Sequence, residues 1–174
     1  MAIDNGLRMS TTRIVLLTIL TSGIYFFYWL YVTWKQLQNQ TKDIHFPIWH
    51  ALSMLVPIYG LFRFHRHVAV IRTLAVNSNV ATSLSPTQIV TLFVLNLLIA
   101  IGSTGVQDTM ALVALNIIRF TLVITSMVWS QATLNDYWQK VRGEALQDMP
   151  LGTTEKVLMV IGAVIWVNLL LSGL

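Results

Sequence analysis

Among the side chains of this chain that could do chemistry, one arginine stands apart. Arg119 lies inside the apolar stretch 109–135, which holds no other charge, and the nearest acid in sequence is Asp108, eleven residues before it. A guanidinium at hydrocarbon depth costs about 3 to 10 kcal/mol, so it is retained where something answers its charge. Asn116 shares its helix face at i−3. Asn96 and Asn168 fall at similar depth in two other apolar segments, so the four residues together suggest a polar seam. Three chemistries suit Arg119. It can dock to a partner that supplies the counter-charge; it can snorkel to a lipid phosphate, to water or to the Leu174 carboxylate; or it can line a path for an anion or small polar solute. For the asparagines alone, interhelical hydrogen bonding is the simpler reading.

Two further groupings carry chemistry. The basic run Arg63, Phe64, His65, Arg66 and His67, followed by Arg72, reads as a patch for anionic lipid headgroups. As a metal site it is weak, because i, i+2 histidines diverge on a helix. Seven of the eighteen aromatic residues fall in 25–34, more than an interfacial belt requires. Tyr25, Tyr28, Trp29, Tyr31 and Trp34 are therefore expected to offer rings to lipid, to a partner subunit, or to a quinone or pigment. His50 is the one histidine within an apolar segment and is a candidate axial ligand for a haem or chlorophyll-type ring, beside the plainer reading of a satisfied buried histidine. No second buried histidine is expected to complete a bis-histidine site. No phosphate loop, Ser/His/Asp set or paired intramembrane carboxylates are present, and Cys is absent, so neither an enzyme, nor a bound metal, nor a disulfide is expected.

The elements that must hold these residues are membrane helices. Hydrophobic residues make up 55% of the 174 and charged ones 10%, against roughly 25% charged in soluble domains. Apolar runs of about 20 residues match a hydrocarbon core about 30 Å thick. The runs 14–34, 46–62, 86–106, 110–130 and 157–174 are expected to span. The second, with Pro47 and Pro57, reads either as a kinked span or as a re-entrant segment. Ser85, Pro86 and Gln88 have the spacing of a helix start, and Asp108 marks a turn so short that the third and fourth spans form an antiparallel hairpin. Residues 132–146 show amphipathic spacing and are expected to lie on the membrane surface. With five spans, eight Lys and Arg share the side of the N-terminus and two, Lys35 and Lys42, face the other, which sets the N-terminus in the cytoplasm and the C-terminus outside. The net charge of +4 is thus assigned to anionic lipid rather than nucleic acid.

The segment Thr21-Ser22-Gly23-Ile24-Tyr25-Phe26-Phe27-Tyr28-Trp29 resembles the T-x-G-I-Y-x-x-Y-W signature of a family of small prokaryotic multi-pass membrane proteins of unknown function. Pro57-Ile58-Tyr59 falls where that family carries a second Pro-containing apolar segment. The resemblance covers residues 12–75 and implies a membrane domain without assigning an activity; the cytoplasmic membrane is the expected location. The expectation is an all-α, five-span protein with a cytoplasmic surface helix, serving as a non-catalytic accessory or scaffold subunit beside other membrane subunits. An oligomeric channel or carrier, and a binder of lipid, quinone or tetrapyrrole, are the alternatives.

Overall fold

The computed structural model describes residues 8–41 and 46–171, and among these it is all helical apart from one isolated bridge between Arg8 and Asp148. Its α-helices are α1 (Thr11–Leu20), α2 (Tyr25–Thr41), α3 (Pro47–Leu52), α4 (Pro57–Asn77), α5 (Pro86–Gly102), α6 (Thr109–Arg142) and α7 (Thr153–Leu171). Three are long and apolar enough to cross a membrane: α5 with the 3-10 turn that follows it, α6 and α7. The expected last span runs three residues further, to Leu174, and those residues lie outside the described part.

The ends of α5 and α6 follow from capping. Ser85 Oγ accepts the Gln88 N–H at 3.4 Å with Pro86 in the first turn, and Asp108 Oδ1 accepts the Ala111 N–H at 2.7 Å. Each satisfies one orphan amide donor of a helix start. The short link between α5 and α6 folds them back on each other, as expected from Asp108.

The segment 14–34 does not form one helix. It is broken at 21–24, where Ser22 and Gly23 adopt φ of 50° and 91°, left-handed values that glycine reaches without penalty. Thr21 Oγ1 closes the break on both sides: it donates to the Leu17 carbonyl at 2.7 Å and accepts the Tyr25 N–H at 2.9 Å. Contacts with α6 show that the chain then reverses. Along α1, Met9 meets Asn135, Thr18 meets Met127, and Gly23 at the turn faces Phe120. Along α2 the order runs back, with Trp29 on Gln131. The first two helices are therefore a hairpin whose turn reaches the level of Phe120, about 16 Å from the start of α6. A continuous uncharged run conceals this, because a hairpin lying in apolar surroundings needs no charge at its turn.

The second expected span, 46–62, is likewise divided. It comprises α3, a 3-10 turn at Ser53–Leu55, and the first turns of α4 after Val56, whose extended backbone precedes Pro57 as proline demands of its predecessor. Gly60 packs so closely on this turn that an added Cβ would lie 2.9 Å from Met54 Cα. α4 then follows α2, with Phe64 against Phe26 and His67 against Thr33, and the loop after it meets α6 where Thr82 and Thr133 hydroxyls lie 3.1 Å apart. Both hairpins thus begin and end at one end of the bundle, where α5 and α7 start and α6 finishes. We call this the basal end.

The amphipathic segment 132–146 is not a separate surface helix. Its first eleven residues continue α6 without interruption to Arg142, where Gly143 at φ 57° ends it. At 34 residues the helix is roughly 50 Å long and outruns a bilayer core of about 30 Å. The apolar face read as membrane-seeking is instead buried: Leu134, Tyr137 and Trp138 join Trp29, Phe64, Val68, Ile71, Leu84 and Ile89 in the core.

Candidate functional site

At the base, polar side chains fasten the hairpin to the spans. Glu155 sits in the first turn of α7, fully buried, and its carboxylate accepts hydrogen bonds from all sides. Oε1 receives Arg13 Nε–H at 2.9 Å and the Tyr25 hydroxyl at 2.8 Å. Oε2 receives the Gly152 N–H at 3.0 Å and a second Arg13 donor, Nη2. A glutamate reaching back to the backbone N–H that precedes its helix is half of a capping box, and its charge suits a helix N-terminus. Arg13 completes its own contacts on the carbonyls of Met149 and Pro150. One ion pair therefore binds α1, α2, the 149–152 loop and α7 together.

A second polar chain lies beside it. Trp29 Nε1–H donates to Gln131 Oε1 at 2.8 Å, Gln131 Nε2 donates to Asn135 Oδ1 at 2.9 Å, and Asn135 Nδ2 donates to the Met9 carbonyl at 2.8 Å. Higher up, α1 and α7 touch backbone to backbone. A Cβ on Gly162 would lie 2.9 Å from the Leu20 carbonyl carbon, and Trp166 Nε1–H reaches the Ile19 carbonyl at 3.3 Å.

These contacts also give the residues of segment 21–29 their local roles. Thr21 caps, Gly23 turns, Tyr25 reaches Glu155, the Tyr28 hydroxyl lies over Gly152, and Trp29 reaches Gln131. The motif is the turn of a hairpin together with its anchors.

The expected aromatic surface is mostly interior. Tyr25, Trp29 and Trp34 are buried, Tyr28 and Tyr31 half-buried, and the surplus rings meet others of this chain: Phe26 packs on Phe64 and Phe93 with centroids 5.7 and 5.1 Å apart. His50 is buried too, its ring stacked on Trp34 at 4.3 Å. One imidazole face is thus covered by an indole, as in an ordinary core histidine.

Of the basic run, His67 is misassigned as a headgroup ligand. It is fully buried, with Nε2 3.1 Å from Thr33 Oγ1 and its ring beside Trp29 and Trp34, because it shares the inward face of α4 with Phe64 and Ile71. Arg63 is half-buried with its guanidinium over Tyr59 at 5.3 Å. His65, Arg66 and Arg72 are exposed.

The four residues of the expected seam do not converge. Arg119 Nη1–H donates to Asn116 Oδ1 at 3.1 Å. Asn168 turns to the Val164 carbonyl of its own helix at 2.9 Å, and among the described residues no hydrogen bond joins the half-buried Asn96 to the other three. The ion pairs among the described residues use Arg8 with Asp148 and Arg13 with Glu155, so none answers Arg119. Leu174, a candidate counter-charge, lies outside the described residues. Among those residues no three His, Asp or Glu side chains converge as metal ligands would.

Arg13 and Glu155 are the pair that sequence reasoning passed over. They stand 142 positions apart and each reads as a charge flanking an apolar run. The signal within reach was the acid three residues after Gly152 at a helix start. No protein-family model matches this chain, and no curated protein or solved structure matches it either.

Proposed function

We propose that this protein is a non-catalytic accessory or scaffold subunit of a larger membrane complex, docked through the α6 face that carries Asn116 and Arg119. The observation that carries the reading is the state of Arg119. It sits ten residues into α6, about 15 Å along the helix, and among the described residues its hydrogen bond is to a neutral amide. An asparagine does not offset a cost of about 3 to 10 kcal/mol, and Glu155 is already engaged by Arg13. A carboxylate on another subunit supplies the missing charge. Its own side of α6 carries Leu112, Leu115, Leu122 and Val123, one or two turns away and all half-buried, which gives the face around it the hydrocarbon character of a helix–helix contact within a bilayer.

The same reading gives the chain three crossings, α5, α6 and α7, with both N-terminal hairpins entering and leaving from the basal side. Nine of the ten Lys and Arg among the described residues then belong to that side or its half of the bilayer, Lys35 included, and none to the far loop; Arg119 alone lies deep. This is a stronger asymmetry than five spans give, and it favours a cytoplasmic base. Parity is kept, so the N-terminus remains cytoplasmic and α7 still points outward.

The test is native mass spectrometry of tagged protein extracted in mild detergent from its own membrane, comparing the wild type with Arg119→Leu. A hetero-complex of fixed stoichiometry, lost in a variant that still folds, is the expected result. Recovery of the same species from both proteins would overturn the assignment.

A further inference from the structure

One face of α4 changes from hydrocarbon to cation within a few turns. Ile58, Phe62, His65, Arg66 and Arg72 are all exposed, and their spacing keeps them within an arc of about 120° on one side of the helix. Beside the upper part runs a groove of about 360 Å³, lined by Ile58, Leu61, Phe62 and His65 of α4 and Val90 of α5. Its walls are hydrocarbon except for the imidazole. One turn beyond Phe62 stands Arg66, and Arg72 follows lower down. No Asp or Glu occurs anywhere in 44–107, and among the described residues no ion pair includes Arg66 or Arg72. The stripe therefore has a strong positive charge with no internal answer, directly below an apolar channel.

We propose that this face is a binding site for one anionic phospholipid, with an acyl chain in the groove and the phosphate held by His65, Arg66 and Arg72. The occupant is chosen by charge complementarity in series. A free phosphate would leave the groove unfilled, a neutral lipid would leave two guanidiniums unanswered, and an anionic lipid satisfies both parts in the order in which they occur along the helix. Arg63, next in sequence, is excluded because it is laid over Tyr59, and His67 because it is buried. The site lies on α4 and α5, apart from the α6 face assigned to a partner, and stands or falls independently of it.

The full chain, purified in mild detergent, is titrated with phosphatidylglycerol or phosphatidylcholine and read by native mass spectrometry. One phosphatidylglycerol is retained in preference to phosphatidylcholine. A basic side chain at an anionic surface contributes a factor of about five, so Arg66→Gln with Arg72→Gln lowers that preference by roughly 25-fold. Lys140→Gln with Arg142→Gln, the same loss of charge at another basal position, leaves it unchanged. Leu61→Trp, which fills the groove and keeps the charges, weakens retention of both lipids. Thermal melting of each variant confirms that it is folded. The proposal is wrong if the Arg66/Arg72 variant keeps its preference, or if the Lys140/Arg142 variant loses as much. It is also wrong if inorganic phosphate displaces the lipid while Leu61→Trp has no effect, which would mark a site for a soluble anion.

Discussion

Breaking the Arg13–Glu155 pair from either side should cost more than removing both partners. Glu155 is fully buried and the Arg13 side chain is 14% exposed, so neither charge is well screened. Glu155→Gln leaves a guanidinium without its counter-charge, on the Met149 and Pro150 carbonyls and one neutral amide oxygen, and Arg13→Met leaves a buried carboxylate with the Tyr25 hydroxyl and the Gly152 N–H. Each single change should cost about 3 to 5 kcal/mol, the usual penalty for an uncompensated buried charge. With Arg13→Met and Glu155→Gln together no charge remains. The residual loss is then that of one donor, the Tyr25 hydroxyl or the Gly152 N–H, which the single amide oxygen does not serve, about 1 to 3 kcal/mol. Equilibrium unfolding in mixed micelles, followed by tryptophan fluorescence, measures all three variants against the wild type. Single variants within about 1 kcal/mol of wild type would place the pair in the range of a solvent-screened surface bridge. A double variant equal to the sum of the singles would show that the two charges do not act as a unit. Either result would refute the idea that this pair clamps α1 and α2 to α7.

Two further outcomes follow from the hairpin. Gly162→Val should detach α1 from α7, because even a Cβ at that position would meet the Leu20 carbonyl. Limited proteolysis should then cut the segment around 21–24 in the variant and spare it in the wild type, and equal protection would count against the close approach. Since the chain has no Cys, a single Ser22→Cys can be placed on a silent background and probed with impermeant thiol reagents applied to either face of sealed vesicles. A turn held at mid-depth is labelled from neither side while Ser103→Cys, beside the far loop, is labelled from outside; labelling of Ser22→Cys from outside would restore a full first crossing.

How much of this was legible in the sequence depended on whether the signal was local. Ser85 announces a helix start because a cap acts within three residues, and it holds. The α5–α6 hairpin followed from the brevity of the turn at Asp108. The reversal at 21–24 was in view as a glycine within a motif, yet hydropathy averages over such a turn and gives a hairpin in apolar surroundings the profile of a span. The segment 132–142 was separated from α6 because its composition changes there, but composition alone does not break a helix; a glycine or proline does, and the next is Gly143. Of the patches read at 25–34 and 63–67, Tyr25, Trp29, Trp34 and His67 face inward, whereas His65 and Arg66 are exposed. Which tyrosine or histidine turns inward depends on the helix opposite, and Trp29 on Gln131 or His67 on Thr33 are long-range facts. Arg119 was conspicuous from sequence because isolation of a charge is itself a local property.

The half-depth turn at 21–24 has a consequence for the bilayer itself. With the three crossings proposed above, the basal leaflet would hold both hairpins alongside α5, α6 and α7, whereas beyond the turn only those three would continue. Its outline is a wedge, broad in one monolayer and narrow in the other, with lipid tails of the far monolayer filling the space above Ser22. Bending that spreads the basal monolayer relieves crowding around the hairpins, and bending of the opposite sense compresses them. Through shape alone, that arrangement would couple the chain to membrane curvature.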